Sequence, residues 1–479
     1  MKKTFLLSCL MLAAMPVMAA YTGHVYVDKN KNGVFDQSEK PLAGIKVSDG
    51  LNVVETAADG SFTLPGHERE RFIFITTPSG YKTFNRHYHK IEKKQSGYDF
   101  GLIPYSGRIR KNGSHRYIHI ADTEIFNTEN HADWVNNVRD YARNEQAAFI
   151  IHTGDICYEK GLKAHIKLMN TENMDCPVFY CIGNHDLVKG KYGEELFESI
   201  YGPVYYSFDA GNVHYVVTPM PGGDHAPGYT SDDVCRWLKN DLAHIRPGTP
   251  VVVFNHDLLT YEDTFIFKSK NAGSINLNEY NLKAWVYGHW HINYMKKQGD
   301  VYSVCTSSLD KGGIDHSTTA FRVMHVDSKG DFTSELRYTY LDKNICIASP
   351  AGVMASGVLP VAVNVYSSVS PVREVLYTCL ADGKPVLKNK RLLQSTDWSW
   401  NGELPLSHKY VGKELTLRVT ARFNNGEIAE AESNFICRTE KAVPLFSADW
   451  DNLSGNAKHS APVCLCSWHG LTMSELIFI

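Results

Sequence analysis

An α/β core set between two smaller all-β regions is the fold class this sequence predicts. Residues 114–345 alternate apolar, strand-like runs with helical segments, the pattern of layered α/β structure. Residues 21–105 and 350–440 break instead into short strands separated by Gly, Pro, Asn and Asp turns. Within the central region, five apolar runs each stop on residues that bind metals or turn the chain.

The 479 residues are enough for about two to four domains. The chain opens on MKKTFLLSCLMLAAMPVMAA, whose two lysines, apolar run and small-residue end are the parts of a secretory signal. This predicts a signal peptide over residues 1–20, cleaved near Ala19 or Ala20, and a periplasmic, secreted or cell-surface protein. The run falls short of the roughly twenty apolar residues a membrane anchor needs, and no later stretch spans a bilayer. A net charge of −3 with 21% charged residues gives no argument for nucleic acid or an anionic membrane as partner. Eleven cysteines form no recognisable disulfide framework, although export would permit one. Cys157, Cys176 and Cys181 lie in or beside apolar runs and read as buried thiols.

In the first β region, YTGHVYVD, AGIKVSD, GSFTLPG and RFIFITTP read as strands. Its loop DKNKNGVFDQSE, residues 28–39, matches a twelve-residue calcium pattern through Asp28, Asn30, Asn32, Gly33, Asp36 and Glu39. A strand precedes it and Pro41 follows, so it reads as the calcium turn of an extracellular β module. An Asn- and Gly-rich turn without metal is the competing reading. In the central region a helix is expected near 130–145, with Trp134, Val138, Tyr141 and Ala142 on one face. Another is expected from an N-cap at Ser231, with Asp232 and Asp233 in its first turn. Its apolar positions Val234, Leu238, Leu242 and Ile245 follow helical spacing. Residues 350–440 alternate between ADG and NNG turns and predict a small β-sandwich. The tail, 441–479, fits none of these domains and reads as the truncated start of a further β module.

The chemistry lies at the five strand ends. YIHIADTE offers Asp122 and Glu124; AAFIIHTGDICYE offers Asp155 and Tyr158; PVFYCIGNHD offers Asn184, His185 and Asp186. VVVFNHD then offers His256, and AWVYGHWH offers His289 and His291. Asp122 and Glu124 stand two apart, so an extended chain would send both carboxylates from one face. Two like charges at the end of a buried strand call for a cation. In open α/β sheets ligands collect at the carboxyl ends of strands, where all five groups fall. The mixture of oxygen and imidazole donors argues for first-row metals (Mn, Zn or Fe) rather than a calcium cage. Each piece alone is ordinary, since GD is a common turn and NHD a polar loop. Five in order are not ordinary. His119, His152 and His214 sit inside apolar strands and read as structural. The loops 219–230 and 307–317, with Asp224, His225 and Lys311, are either pocket walls or solvated loop.

GD at 154–155, GNHD at 183–186, His256 and GHWH at 288–291 resemble the calcineurin-like metallophosphoesterases, over residues 114–345. The flanking regions resemble, more loosely, an exported bacterial subgroup of that family with N- and C-terminal β domains. The resemblance implies a central two-sheet α/β sandwich flanked by two small all-β domains. It implies two first-row metal ions, divalent or mixed-valence, at the strand ends. Asp155 would bridge them. Asp122 and His291 would complete the first site, and Asn184, His256 and His289 the second. The implied activity is hydrolysis of phosphomonoesters or phosphodiesters by in-line attack of a metal-bridging hydroxide. His185 would protonate the leaving group, with Asp186 orienting its imidazole. The substrate would be a small-molecule or glycan-linked phosphate ester.

Position 124 departs from the family pattern, which usually reads Asp-x-His. Glu124 ligates the first metal directly in one reading. In a second, Tyr158, three after Asp155, supplies the ligand as in the purple acid phosphatases, whose GDxxY and VxxH resemble residues 154–158 and 253–256. In a third, Glu124 stands outside the ligand set. The departure also leaves open a catalytically weakened surface or carbohydrate-binding protein on the same fold. For the 28–39 loop, a calcium site requires that chelation lower the melting temperature while activity largely persists. A melting curve indifferent to both chelator and calcium would dismiss it.

Overall fold

A computed structural model of the chain describes residues 21–438, apart from 96, 341–342, 356 and 368–369. The expected signal peptide and the tail lie outside the described residues. Two mixed sheets build the central region. In the first, the β-branched and aromatic runs Val178–Tyr180, Phe149–His152 and His115–Ile120 pair in parallel. Ala320–Val326 and Phe332–Tyr338 extend that sheet antiparallel. In the second, Val213–Val217, Val251–Phe254, Leu282–Tyr287 and Val301–Cys305 run parallel. Tyr206–Ala210 and Tyr294–Gln298 close its two edges antiparallel.

Strand alternation then assigns each residue to a layer. Tyr117, Phe149 and Ile151 of the first sheet meet Phe208, Tyr215 and Phe254 of the second in one buried cluster. Tyr117 stacks on Phe149 at 4.7 Å and meets the edges of Tyr215 and Phe254 at 5.8 Å each. The intervening residues Ile118, Ile120 and Ile150 point the other way. They meet Trp134, Val138 and Ala142 of helix α1 (Ala132–Asn144) and Leu162 of α2 (Tyr158–Leu168). A short α3 (Glu195–Tyr201) packs on the same side, and Trp237, Leu238 and Leu242 of α4 (Ser231–Ala243) bury against the second sheet. The cap of α4 is Thr230, not Ser231. Thr230 is extended, its hydroxyl accepts the Asp233 N–H, and the Asp233 carboxylate returns to the Thr230 N–H.

The first β region forms a five-stranded sheet around Tyr21–Val27 and a four-stranded sheet containing Phe72–Ile75. The latter seats on the central core, with Phe74 6.3 Å from Trp237 and Arg71 paired to Glu194 and Glu198 at 2.8 and 2.7 Å. In its 28–39 loop, Asp28 accepts the N–H groups of Asn32 and Gly33, and Glu39 accepts those of Lys29 and Asp36. The last β region packs two sheets face to face around Val363, Trp400, Leu417 and Val419. It touches the central region through Tyr366, stacked on Tyr338 at 4.3 Å, and Asn364, which donates to the His316 carbonyl. The eight described cysteines are unpaired thiols; Cys157, Cys176 and Cys181 are buried as expected. No helix among the described residues is long and apolar enough to cross a membrane.

The three strand histidines are buried and serve the structure. His119 pairs with the Thr153 hydroxyl at 2.9 Å and His152 with that of Thr123 at 3.0 Å. His214 lies between two carboxylates, Nδ1 on Asp209 at 2.7 Å and Nε2 on Asp241 at 2.8 Å. Burial opposes its charge, but Asp241 and Asp209 prevail and raise its pKa from 6.5 to about 9. A folded-state pKa above the unfolded one stabilises fully below the unfolded value and is lost as pH rises through the folded value. The stability advantage of wild type over His214→Gln should therefore shrink between about pH 6.5 and about pH 9. Urea unfolding of both chains across that range measures it, and a constant difference would contradict the pairing.

Candidate metal centre at the strand ends

Every motif residue lies where a strand has just ended, and the backbone there is unusual. The first strand stops at Ile120, and Asp122 and Glu124 then take φ values of 51° and 46°. Asp155, Cys157 and Tyr158 follow the second strand at 54°, 73° and 56°. His289 and His291 follow Leu282–Tyr287 at 65° and 50°. These are left-handed conformations that non-glycine residues rarely adopt, and they cluster at functional sites. The expectation that Asp122 and Glu124 share a face by strand alternation is thus corrected. They converge because the chain has left the strand and coils.

The coil is held by its own backbone. Asp122 N–H donates to the Gly154 carbonyl at 3.0 Å, and the His289 N–H donates to both oxygens of Asp122 at 3.1 Å. The His185 N–H donates to Asp155 Oδ1 at 3.0 Å. Glycine is required at the closest approach. A Cβ on Gly183 would lie 2.3 Å from both the backbone N and Oδ1 of Asp155, and one on Gly154 2.6 Å from His256 Nδ1.

Two donor groups result, and Asp155 belongs to both. Asp155, His256 and His289 bring one donor atom each to within 4.8 Å of one another, as do Glu124, Asp155 and Cys157. His256 Nδ1 faces the Thr153 carbonyl at 2.7 Å, which fixes its N–H there and turns Nε2 inward. Nε2 lies 3.1 Å from Asn184 Oδ1 and 3.2 Å from Asp155 Oδ2. On the other side, His291 Nε2 lies 3.6 Å from Asp122 Oδ1 and 3.5 Å from Glu124 Oε1. The expected residues thus lie close together: Asn184, His256 and His289 beside Asp155, with Asp122 and His291 meeting near Glu124, whose donor group with Asp155 is completed by Cys157.

The electrostatics fit a cation. Asp122, Glu124 and Asp155 are all almost fully buried. Burial drives the Asp122 carboxyl well above its usual range, with the Asp155 and Glu124 charges adding to the effect and His256 opposing it. Burial also opposes ionisation of Asp155, but the neighbouring His256 imidazole outweighs it and holds that carboxyl low. His256 is raised to about 10 against its burial, mainly by Asp155, while burial and the His256 charge lower His289 to about 4. Oxygen and imidazole donors around shared negative charge suit a first-row metal pair, whose charge would take the place of the proton that Asp155 draws onto His256.

The contacts of His185 and Asp186, expected to handle the leaving-group proton, differ from expectation. Asp186 does not orient His185. Its Oδ1 accepts the Cys157 N–H at 2.8 Å and its Oδ2 the Gly183 N–H at 2.9 Å, so it braces the two loops. The partner of His185 is Asp224, whose Oδ2 lies 2.8 Å from Nδ1. Sequence marked Asp224 only as part of a polar loop; no spacing rule ties it to position 185. The opposite nitrogen, His185 Nε2, is buried and has no hydrogen-bond partner among the described residues. Tyr158 opens α2, stacks on Phe126 at 6.1 Å and lies 5.3 Å from the His185 ring. Burial raises its phenol to about 12. Lys311, another loop residue, forms a 2.5 Å ion pair with Glu124 Oε2. His225 is exposed.

The substitution Gly183→Ala pushes a methyl group into Asp155 and should weaken manganese or zinc binding by about 10- to 100-fold, the usual range when groups supporting a ligand are disturbed. Elemental analysis after gel filtration, with circular dichroism to verify the fold, tests this; unchanged metal content would refute the close-packing requirement.

Comparison with known proteins agrees with this geometry. The profile described as calcineurin-like phosphoesterase matches residues 115–293, and the one described as the N terminal of calcineurin-like phosphoesterase matches 29–104. Purple acid phosphatase 13 of Arabidopsis thaliana is 26% identical over 215 residues, 42% of this chain and 36% of that protein. The match thus spans little more than a third of that relative. Among solved structures, the purple acid phosphatase PPD1 of yellow lupin (Lupinus luteus) aligns over 83% of this chain and 70% of its own, at 10% identity and a TM-score of 0.29. A predicted phosphoesterase of Streptococcus pneumoniae aligns over 47% and 98%, at 10% identity and a TM-score of 0.22. Those two superpositions are too weak to add to the sequence matches. The chain belongs to the calcineurin-like phosphoesterase family, with the catalytic-type domain at 115–293 and the family's N-terminal domain ahead of it.

Proposed function

We propose that this chain is an exported metal-dependent phosphoesterase that hydrolyses a small-molecule or glycan-linked phosphate ester. The observation that carries the reading is the sharing of the buried Asp155 between two donor groups. Asp155 would bridge two first-row ions. Asn184, His256 and His289 would complete one site; Asp122, Glu124 and His291 would complete the other. When bound, such a pair activates water and withdraws charge from the phosphoryl oxygens. The protein's own part begins with His185. Its Nδ1–H is held by Asp224, which leaves the buried, unpartnered Nε2 as the atom that would give a proton to the departing alkoxide. Cleavage of the P–O bond by water then gives the alcohol and phosphate from a monoester, or the alcohol and a phosphate monoester from a diester. Export is supported by the first twenty residues, and calcium at 28–39 would stiffen the first β region.

Direct ligation by Glu124 is favoured over a Tyr158 ligand. An oxygen of Glu124 already lies in one donor group, whereas the Tyr158 ring packs between Phe126 and His185 and its phenol resists ionisation.

With manganese or zinc, the protein should hydrolyse an aryl phosphate and be colourless. His185→Ala should lower kcat/KM by about 10²- to 10⁴-fold, the range for loss of a general acid, without loss of metal. Full activity in that variant would remove the proton-donor role. A coloured iron protein would restore Tyr158 as a ligand. Monoester, diester, sugar phosphate, nucleotide and glycerophosphodiester assayed side by side would define the substrate class.

A further inference from the structure

We propose that Lys311 is a positioning residue of the first metal site, and that Glu124 and Lys311 act as one unit in place of a neutral imidazole. The inference rests on the metal-centre reading above. Lys311 Nζ contacts Oε2 of Glu124 at 2.5 Å, while Oε1 of the same carboxylate lies 3.5 Å from His291 Nε2. One oxygen is thus held by the ammonium and the other turned toward Asp122, Asp155 and His291. Charge explains the pairing. A histidine at 124 would leave two carboxylates on this side; Glu124 makes three, and an uncompensated buried charge is strongly destabilising. The lysine returns the total to that of the imidazole version.

Lys311 is delivered by a built loop. Thr306, Ser307, Ser308 and Leu309 are fully buried. The Lys311 N–H donates to Ser308 Oγ at 3.3 Å, and the Ile314 N–H donates to the His291 carbonyl at 2.9 Å. Thr339 Oγ1 donates to the Leu309 carbonyl at 2.7 Å. The loop is therefore tied to the same backbone that carries His291. It also lies beyond residue 293, outside the stretch matched by the family profile.

The test is manganese binding to metal-stripped wild type, Glu124→His, Lys311→Met, Lys311→Arg and the Glu124→His/Lys311→Met double variant. Glu124→His alone leaves an ammonium unpaired beside the cation and should weaken the first manganese about tenfold or more, one decade per 1.4 kcal/mol. Lys311→Met should melt lower without metal, bind manganese more tightly and gain more stability from it. Lys311→Arg should behave as wild type. The double variant should return to within about threefold of wild-type affinity, about half a decade on the same scale. A double variant as weak as Glu124→His, or unchanged metal affinity in Lys311→Met, overturns the proposal while leaving the metal centre intact. Wild type that takes up no manganese overturns both.

Discussion

Three carboxylates, Asp122, Glu124 and Asp155, share one buried space, and their mutual repulsion sets the terms for everything around them. An unpaired buried ion costs several kcal/mol even after the protein relaxes. A non-glycine residue held in a sparsely populated backbone region costs roughly 1–3 kcal/mol. Backbone strain is the smaller penalty wherever it brings a compensating group into reach. The left-handed residues at 122, 124, 155, 289 and 291 follow from that balance, since they turn acids and imidazoles toward one another.

The same residues tie the two sheets together. Asp122, Asp155 and Asn184 come from the first sheet; His256, His289 and His291 come from the second. Thr153 of the first sheet accepts the His256 N–H, and Asp122 accepts the His289 N–H. Behind this seam, Tyr117, Phe149, Tyr215 and Phe254 fill the space between the sheets. Phe254 lies two residues before His256, so the packing that fixes the sheet spacing also fixes the imidazole. Donor geometry depends on rigid support of this kind.

How much of this was legible in the sequence follows from how local each signal is. The five strand ends could be read because each motif is contiguous with the apolar run that positions it. The helix from 231 was readable for the same reason, although its cap fell one residue earlier because an extended Thr230 reaches the Asp233 N–H. The spacing of Asp122 and Glu124 pointed to the right residues through the wrong geometry, since alternation holds only inside a strand. Asp186 was misassigned because adjacency suggested contact with His185, while its oxygens were committed to the backbone N–H groups of Gly183 and Cys157. Asp224 and Lys311 could not be read at all as partners. They meet His185 and Glu124 from 39 and 187 residues away.

That division has a physical consequence for the flanking structure. Residues that face the proposed metals are set by strand ends, but Asp224 and Lys311, the partners of His185 and Glu124, arrive on loops, and loops need support from elsewhere. The loop carrying Lys311 is held at Leu309 by Thr339, and the hydroxyl of Tyr340 contacts Asp310. Tyr340 in turn accepts, through its carbonyl, the hydroxyl of Tyr366, and Asn364 donates to His316 farther along the loop. Both Asn364 and Tyr366 belong to Val358–Ser367, a strand of the last β region. That region therefore does more than follow the catalytic-type domain in sequence. The end of that strand supports the loop that carries Lys311, whose ammonium pairs with Glu124 beside the proposed centre.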